Sequence, residues 1–259
     1  MVDAKTIESR DVDSRPDSAL FRIDYEARLV EEAVLSFMAH HADYPHFRRE
    51  LDQLYGIEDM EHRDAGFRTF HSSWFLQLGL GRAVETALGE RPIIARSTRC
   101  CLVATAPRRR DECAELFVKS SRRRHADGHS VGLSLLPTSF RDSERLLAFL
   151  RHEFLHIADM LDPAFQYEPS SVEPDTMHPS LFQERYRALW DTTIDGRLAH
   201  EGVREAACRS RRLLEFGQTF QMLGTQTEAA FERLFDHQGH THPQLRAYAL
   251  APETMAQDD

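Results

Sequence analysis

His152, Glu153 and His156 stand in the order His-Glu-x-x-His within the run Arg151-His152-Glu153-Phe154-Leu155-His156-Ile157-Ala158-Asp159. They are the residues of this chain whose types and spacing point most directly to chemistry. On a helix, side chains four apart share a face. Two imidazoles so placed can hold one metal ion from the same side, and a glutamate one position round reaches the ion's open coordination position. That arrangement suits hydrolysis by a metal-bound water, with the glutamate as proton acceptor. With 14 histidines in 259 residues, a shuffled chain would contain the pattern about 0.06 times, so its presence inside a helical stretch carries information.

A catalytic zinc takes three protein ligands and keeps one position open, so a third group is needed. Helical-wheel reasoning favours Asp195, which shares a small-residue face with Leu181, Ala188, Thr192 and Ala199 and lies beside Gly196. Asp191, one turn earlier and to one side, is placed to receive the free N–H of a ligating histidine. These two roles are exchangeable on the wheel. Arg187, four residues from Asp191, offers a plain surface ion pair instead. Asp162, six residues after His156, ranks next, with Asp159 as a supporting or helix-end carboxylate. His240 and His242 rank third, because they sit with His237 in a polar, turn-rich tail.

The elements that must position these groups are legible as patterns. Leu146, Leu147, Phe149, Leu150, Phe154, Ile157, Ala158 and Leu161 follow helical spacing, Ser139 to Asp142 reads as a capping box, and Asp162-Pro163 stops the run. Downstream, a loop holds Pro163, Pro169, Pro174 and Pro179 and carries Glu168, Glu173 and Asp175. Ser180 with Gln183 reads as a second capping box, opening a helix over residues 181–200. Upstream, residues 100–106, 113–118 and 130–136 read as three strands of a small antiparallel sheet. The arginine triplets at 108–110 and 122–124 fall in the connections. They are solvated loop ends or a basic rim for an acidic substrate or a nucleic-acid backbone, and no aromatic interleaving supports the last.

The rest of the chain divides into a polar tail over residues 1–20, a helical region over 21–92, a catalytic core over 93–202 and a C-terminal helical region and tail over 203–259. The N-terminal helical region shows apolar periodicity from Ala27 to Met38, a short helix over residues 47–55, and aromatic spacing through Phe67, Phe70, Trp74, Phe75 and Leu78. Helices over 203–216 and 227–235 follow the core. At 41% hydrophobic and 29% charged, the composition is that of a soluble globular protein, and no apolar run reaches the ~18 residues of a membrane span. The opening residues have no apolar core of a secretory signal. Four cysteines without a paired spacing fit a reducing cytoplasm. A net charge of −10 argues against nucleic acid as partner.

Taken together, His152, Glu153, His156 and the acidic downstream helix resemble the zincin metallopeptidases, most closely the groups whose third ligand is an acidic residue on a second helix. Thr192-x-x-Asp195 is similar to the aspartate-ligand spacing and Asp191-x-x-x-Asp195 to the glutamate-ligand spacing with Asp for Glu. The glycine and tyrosine flanking the first motif and the Asn-Glu pair of the second are absent. The resemblance covers residues 130–200. It implies an α+β zincin-like domain, a small mainly antiparallel sheet beside the motif helix, with additional helices at both ends. It also implies a zinc cofactor on His152, His156 and Asp195, Glu153 as general base, and a peptide or protein substrate aligned on an edge strand, for which residues 130–136 are the candidate. Tyr186, Arg197 and His200 turn away from Asp195 on the wheel, so no oxyanion partner is assigned. Two other readings remain: a zincin-like shell that binds without turnover, and a zinc hydrolase of a non-peptide amide or ester.

Overall fold

A computed structural model describes residues 21–118, 129–168, 178–203 and 206–256. It is helix-rich, with a four-stranded sheet. The elements run β1 (Arg22–Tyr25), α1 (Ala27–Met38), α2 (Tyr44–Leu54), α3 (Met60–Gln77), α4 (Arg82–Gly89), α5 (Pro92–Ser97), β2 (Thr98–Thr105), β3 (Cys113–Val118) and β4 (His129–Leu135). There follow α6 (Ser143–Leu161), α7 (Pro179–His200), α8 (Ala206–Thr219), α9 (Thr227–Asp236) and α10 (His242–Leu250). The α+β class expected from the sequence is the class observed.

The sheet itself differs from expectation. Its order is β1-β2-β4-β3. β1 and β2 are parallel, β2 and β4 are parallel, and only β3 and β4 are antiparallel. The sheet is therefore mixed, and residues 130–136 lie in an interior strand instead of at the edge. The burial pattern explains the order. Val131, Leu133 and Leu135 of β4 are fully buried or nearly so, so β4 belongs in the middle, where both long edges are covered. β3 exposes Glu115 and Phe117, which suits an edge. Gly132 of β4 makes room for the neighbouring Phe117 ring, which a Cβ there would meet at 2.3 Å.

Other boundaries shift for local reasons. Residues 22–25, inside the region over 21–92 read as helical, form β1, paired in parallel with β2. α6 is capped by Asp142, whose Oδ1 accepts from Arg145 N–H at 3.0 Å. Ser139 is not the cap; its hydroxyl donates to Glu112 Oε1 at 2.5 Å. α7 opens with Pro179 after His178, without a side-chain cap, which a proline at the first helical position permits. Glu173 and Asp175 lie outside the described residues, as do the polar tail over 1–20 and the arginines at 122–124.

Two hydrophobic cores result. The first packs α1 to α4 and the sheet against one side of α6 through Leu146, Leu150, Phe154 and Ile157. The second packs α7 to α10 together and takes the buried Leu155 and Ala158 from α6, with Met160 half-buried against it and Phe165 from the turn beyond. α6 is the seam between them. Among the described residues no helix is long and apolar enough to cross a membrane, and no disulfide is formed.

Candidate metal centre

α6 serves two cores, so its buried faces lie on either side of a polar stripe. His152 and His156 occupy that stripe and face α7. One ligand atom each from His152, His156 and Asp191 lie within 4.8 Å of one another. Asp191 Oδ1 stands 3.0 Å from His156 Nε2 and 3.5 Å from His152 Nε2. Ligand atoms on a tetrahedral zinc stand about 3.3 Å apart, so these separations and the donor types, two imidazole nitrogens and one carboxylate oxygen, fit such an ion.

The structure brings Asp191, not Asp195, to the two Nε2 atoms. Asp195 lies behind His152, its Oδ1 accepting from the ring at Nδ1 over 2.9 Å. This is the exchange of roles that the helical wheel left open, and it arises because α7 crosses α6 with Asp191 nearest the cleft. Asp195 is completely buried. A carboxylate there needs a counter-charge, and Arg212 of α8 supplies it, donating from Nε to Asp195 Oδ2 at 2.8 Å and reaching Asp191 Oδ2 from Nη1 at 3.4 Å. Cys208 Sγ adds a longer contact to Asp195 at 3.6 Å. No sequence pattern marked Arg212. It reads as part of the basic run Arg209, Arg211 and Arg212, and only the packing of α8 on α7 turns it inward. Arg187 stays exposed, 4.0 Å from Asp191.

Charge and burial oppose each other here. Burial disfavours a charged His152, but the hydrogen bonds of Asp191 and Asp195 outweigh it and lift the imidazole to about 9. His156 is held below its ordinary value by burial, despite its bond to Asp191. Burial would also favour a proton on Asp191, yet the two imidazoles keep its carboxyl far below the usual range.

Glu153, on the adjoining face of α6, reaches the sheet. Its Oε2 accepts from Ala114 N–H of β3 at 2.9 Å. The general-base candidate is thus tied to the outer side of the edge strand. Residues alternate between facing the partner strand and facing away from it in an antiparallel ladder, so Leu116, two along from Ala114, also presents its backbone away from β4.

On the far side of His156, Trp190 makes an edge contact with the imidazole at a centroid distance of 4.5 Å. Its indole N–H donates to Asp159 Oδ2 at 2.8 Å, and Asp159 takes both Nη groups of Arg197 at 2.8 and 2.5 Å. Asp159 is therefore the anchor of a Trp190–Arg197 brace next to His156, which accounts for Arg197 turning away from Asp195. Asp162 does not join the cluster; its Oδ1 accepts from Ala164 N–H at 2.9 Å inside its own turn. The C-terminal histidines do not reach it either. His237 and His240 contact the Arg233 carbonyl. His242 is buried at the start of α10, 2.6 Å from the Tyr186 hydroxyl, and is not the plain surface residue its tail position suggests. His200 Nδ1 lies 2.8 Å from the Gly196 carbonyl.

The fold and cluster thus define a helix-rich α+β protein with a His/His/Asp group able to hold a metal. Comparison with protein-family models, curated proteins and solved structures returned no match.

Proposed function

We propose that this protein is a zinc-dependent metallopeptidase of the zincin type, with His152, His156 and Asp191 as metal ligands and Glu153 as general base. The observation that carries the reading is the convergence of those three ligand atoms within 4.8 Å, on the helix face next to a glutamate bonded to an edge strand. Zinc bound there supplies Lewis acidity, which polarises a carbonyl and lowers the pKa of water.

The chain's own residues do the rest. Asp195 holds the His152 ring from behind, so that Nε2 is presented to the cleft. The Trp190 brace fixes His156. Glu153 accepts a proton from the attacking water and returns it to the leaving amine, which conserves protons over the cycle. The outward edge of β3 offers backbone groups to an extended peptide, which adds as a further strand and lays its scissile bond beside Glu153. β3 takes this role in place of residues 130–136 because, among the described residues, it is the edge strand paired antiparallel to β4. Four cysteines without a paired spacing support a reducing compartment, the cytoplasm.

Metal analysis of purified protein tests the site: about one zinc per chain is expected, lost in His152→Ala and in Asp191→Ala. Unchanged zinc in both variants would refute it. A peptide-library digest of wild type against Glu153→Gln tests turnover. Zinc-loaded protein that cleaves no peptide but hydrolyses small amides or esters would reassign the substrate.

A further inference from the structure

A surface cavity of about 480 Å³ opens one helical turn from Glu153, and nothing in the metal chemistry uses it. Its floor includes Phe149 and Leu146 of α6. Its rim carries Arg109 from the β2–β3 connection, Arg141 from the turn before α6, and Arg145 from the first turn of α6. These arginines come from separate places in the chain, and no acidic side chain among the described residues lies within ion-pair range of any of them. All three are exposed. The two acidic groups at the rim are already engaged. Glu112 Oε1 accepts from Leu136 N–H and from Ser139 Oγ, and Asp142 caps α6.

The cavity is in line with the site. Arg145, Phe149 and Glu153 recur every four residues, so they form one stripe of α6. Eight residues of helix span about 12 Å, which equals three to four residues of extended peptide at about 3.3 Å each. Glu112, at the rim, is two residues before Ala114, whose N–H holds Glu153. A strand laid along β3 with its reacting bond at Glu153 therefore passes over the arginines.

We infer that this cavity is a specificity pocket for an acidic side chain, so that the substrates are peptides bearing Asp or Glu about three residues from the cleaved bond. Guanidinium groups match carboxylates with paired, charge-assisted hydrogen bonds, and an apolar floor under them takes the methylene stem of a glutamate. An acidic peptide is favoured over a nucleic acid because the pocket is a single concavity with one aromatic residue, Phe149, instead of a stripe of stacking platforms. The inference rests on the peptidase reading for its substrate, but the pocket itself is testable without turnover.

The test is fluorescence anisotropy with metal-free protein and fluorescein-labelled octapeptides carrying four glutamates or four lysines. The glutamate peptide should bind and the lysine peptide should not. Arg141→Glu/Arg145→Glu should weaken binding at least about tenfold, as expected when two charge-assisted contacts become repulsive, and Arg109→Gln, in an exposed turn, should weaken it about threefold. Arg28→Gln, on the exposed face of α1 away from the cavity, should leave it unchanged. Equal binding by wild type and the arginine variants overturns the pocket, and so does tighter binding of a single-stranded octanucleotide than of the glutamate peptide. If the glutamate peptide binds as stated while no peptide is cleaved, the pocket stands and the peptidase reading falls.

Discussion

The two cores of this protein meet α6 in different ways. The sheet-side core holds the helix by its large residues, Leu146, Leu150, Phe154 and Ile157, and supplies the backbone N–H that grips Glu153. The helical core touches α6 through little more than Leu155 and Ala158, yet it contributes Asp191, Asp195, Trp190 and Arg212. The difference separates two tasks. One core fixes where His152, His156 and Glu153 stand, and the other delivers Asp191 and Asp195 beside the two imidazoles. The site lies at the boundary, where polar groups can remain partly wetted while their supports are buried.

Predictions that test this division follow in order of size. Glu153→Gln should lower peptide cleavage by about 10²- to 10⁴-fold while zinc content and thermal stability stay near wild type; a variant that loses its zinc would show that Glu153 belongs to the metal's support. Next, Asp191→Ala and Asp195→Asn should separate. The first should lose its zinc, whereas the second should retain it with affinity reduced about 10- to 100-fold, read by competition with a chelating dye. The reverse order would restore Asp195 as ligand.

Arg212→Met should cost about 3–5 kcal/mol of stability in denaturant titration, because it strands the buried Asp195 carboxylate. Adding Asp195→Asn to it should recover part of that loss. Gly196→Ala probes the helical core alone. A Cβ there would meet the Phe235 carbonyl oxygen at 2.0 Å, so α7 and α9 must separate, at a cost of about 1–3 kcal/mol. Zinc affinity should fall with it, since Asp195 is the adjoining residue.

The smallest effect concerns pH. In metal-free protein His152 sits at about 9, above the unfolded value near 6.5. It therefore contributes stability that is fully present below about 6.5 and is lost as pH rises through 9. The melting temperature of metal-free protein should fall across that interval, and His152→Gln should flatten the slope.

Much of the sheet-side contribution to the site was legible in the sequence. The motif helix, its apolar faces and its Asp162-Pro163 stop are local periodicities, and they place His152, Glu153 and His156 on adjoining faces whatever the helix packs against. The cap was misplaced by three residues, since Ser139 and Asp142 are both good capping types and only the hydrogen bond to Arg145 distinguishes them. The sheet was harder. Three strands in series suggest a meander, but which strand takes the centre depends on which is covered on both edges, and β4 wins by its alternating buried residues. α10 and the burial of His242 gave no periodic signal strong enough to read.

By itself, then, the sequence determined a helix bearing two imidazoles and a carboxylate at the spacing that one metal and one base require, and a second helix with two aspartates four residues apart. Helical geometry is local, so those facts needed no tertiary information. Only the tertiary structure decided that Asp191 meets the two imidazoles while Asp195 stands behind one of them. It alone turned Arg212 inward, set β3 at the edge beside Glu153, and gathered Arg109, Arg141 and Arg145 round one cavity. Those outcomes depend on the crossing of helices and the order of strands, which follow from how the whole set of apolar faces is buried at once.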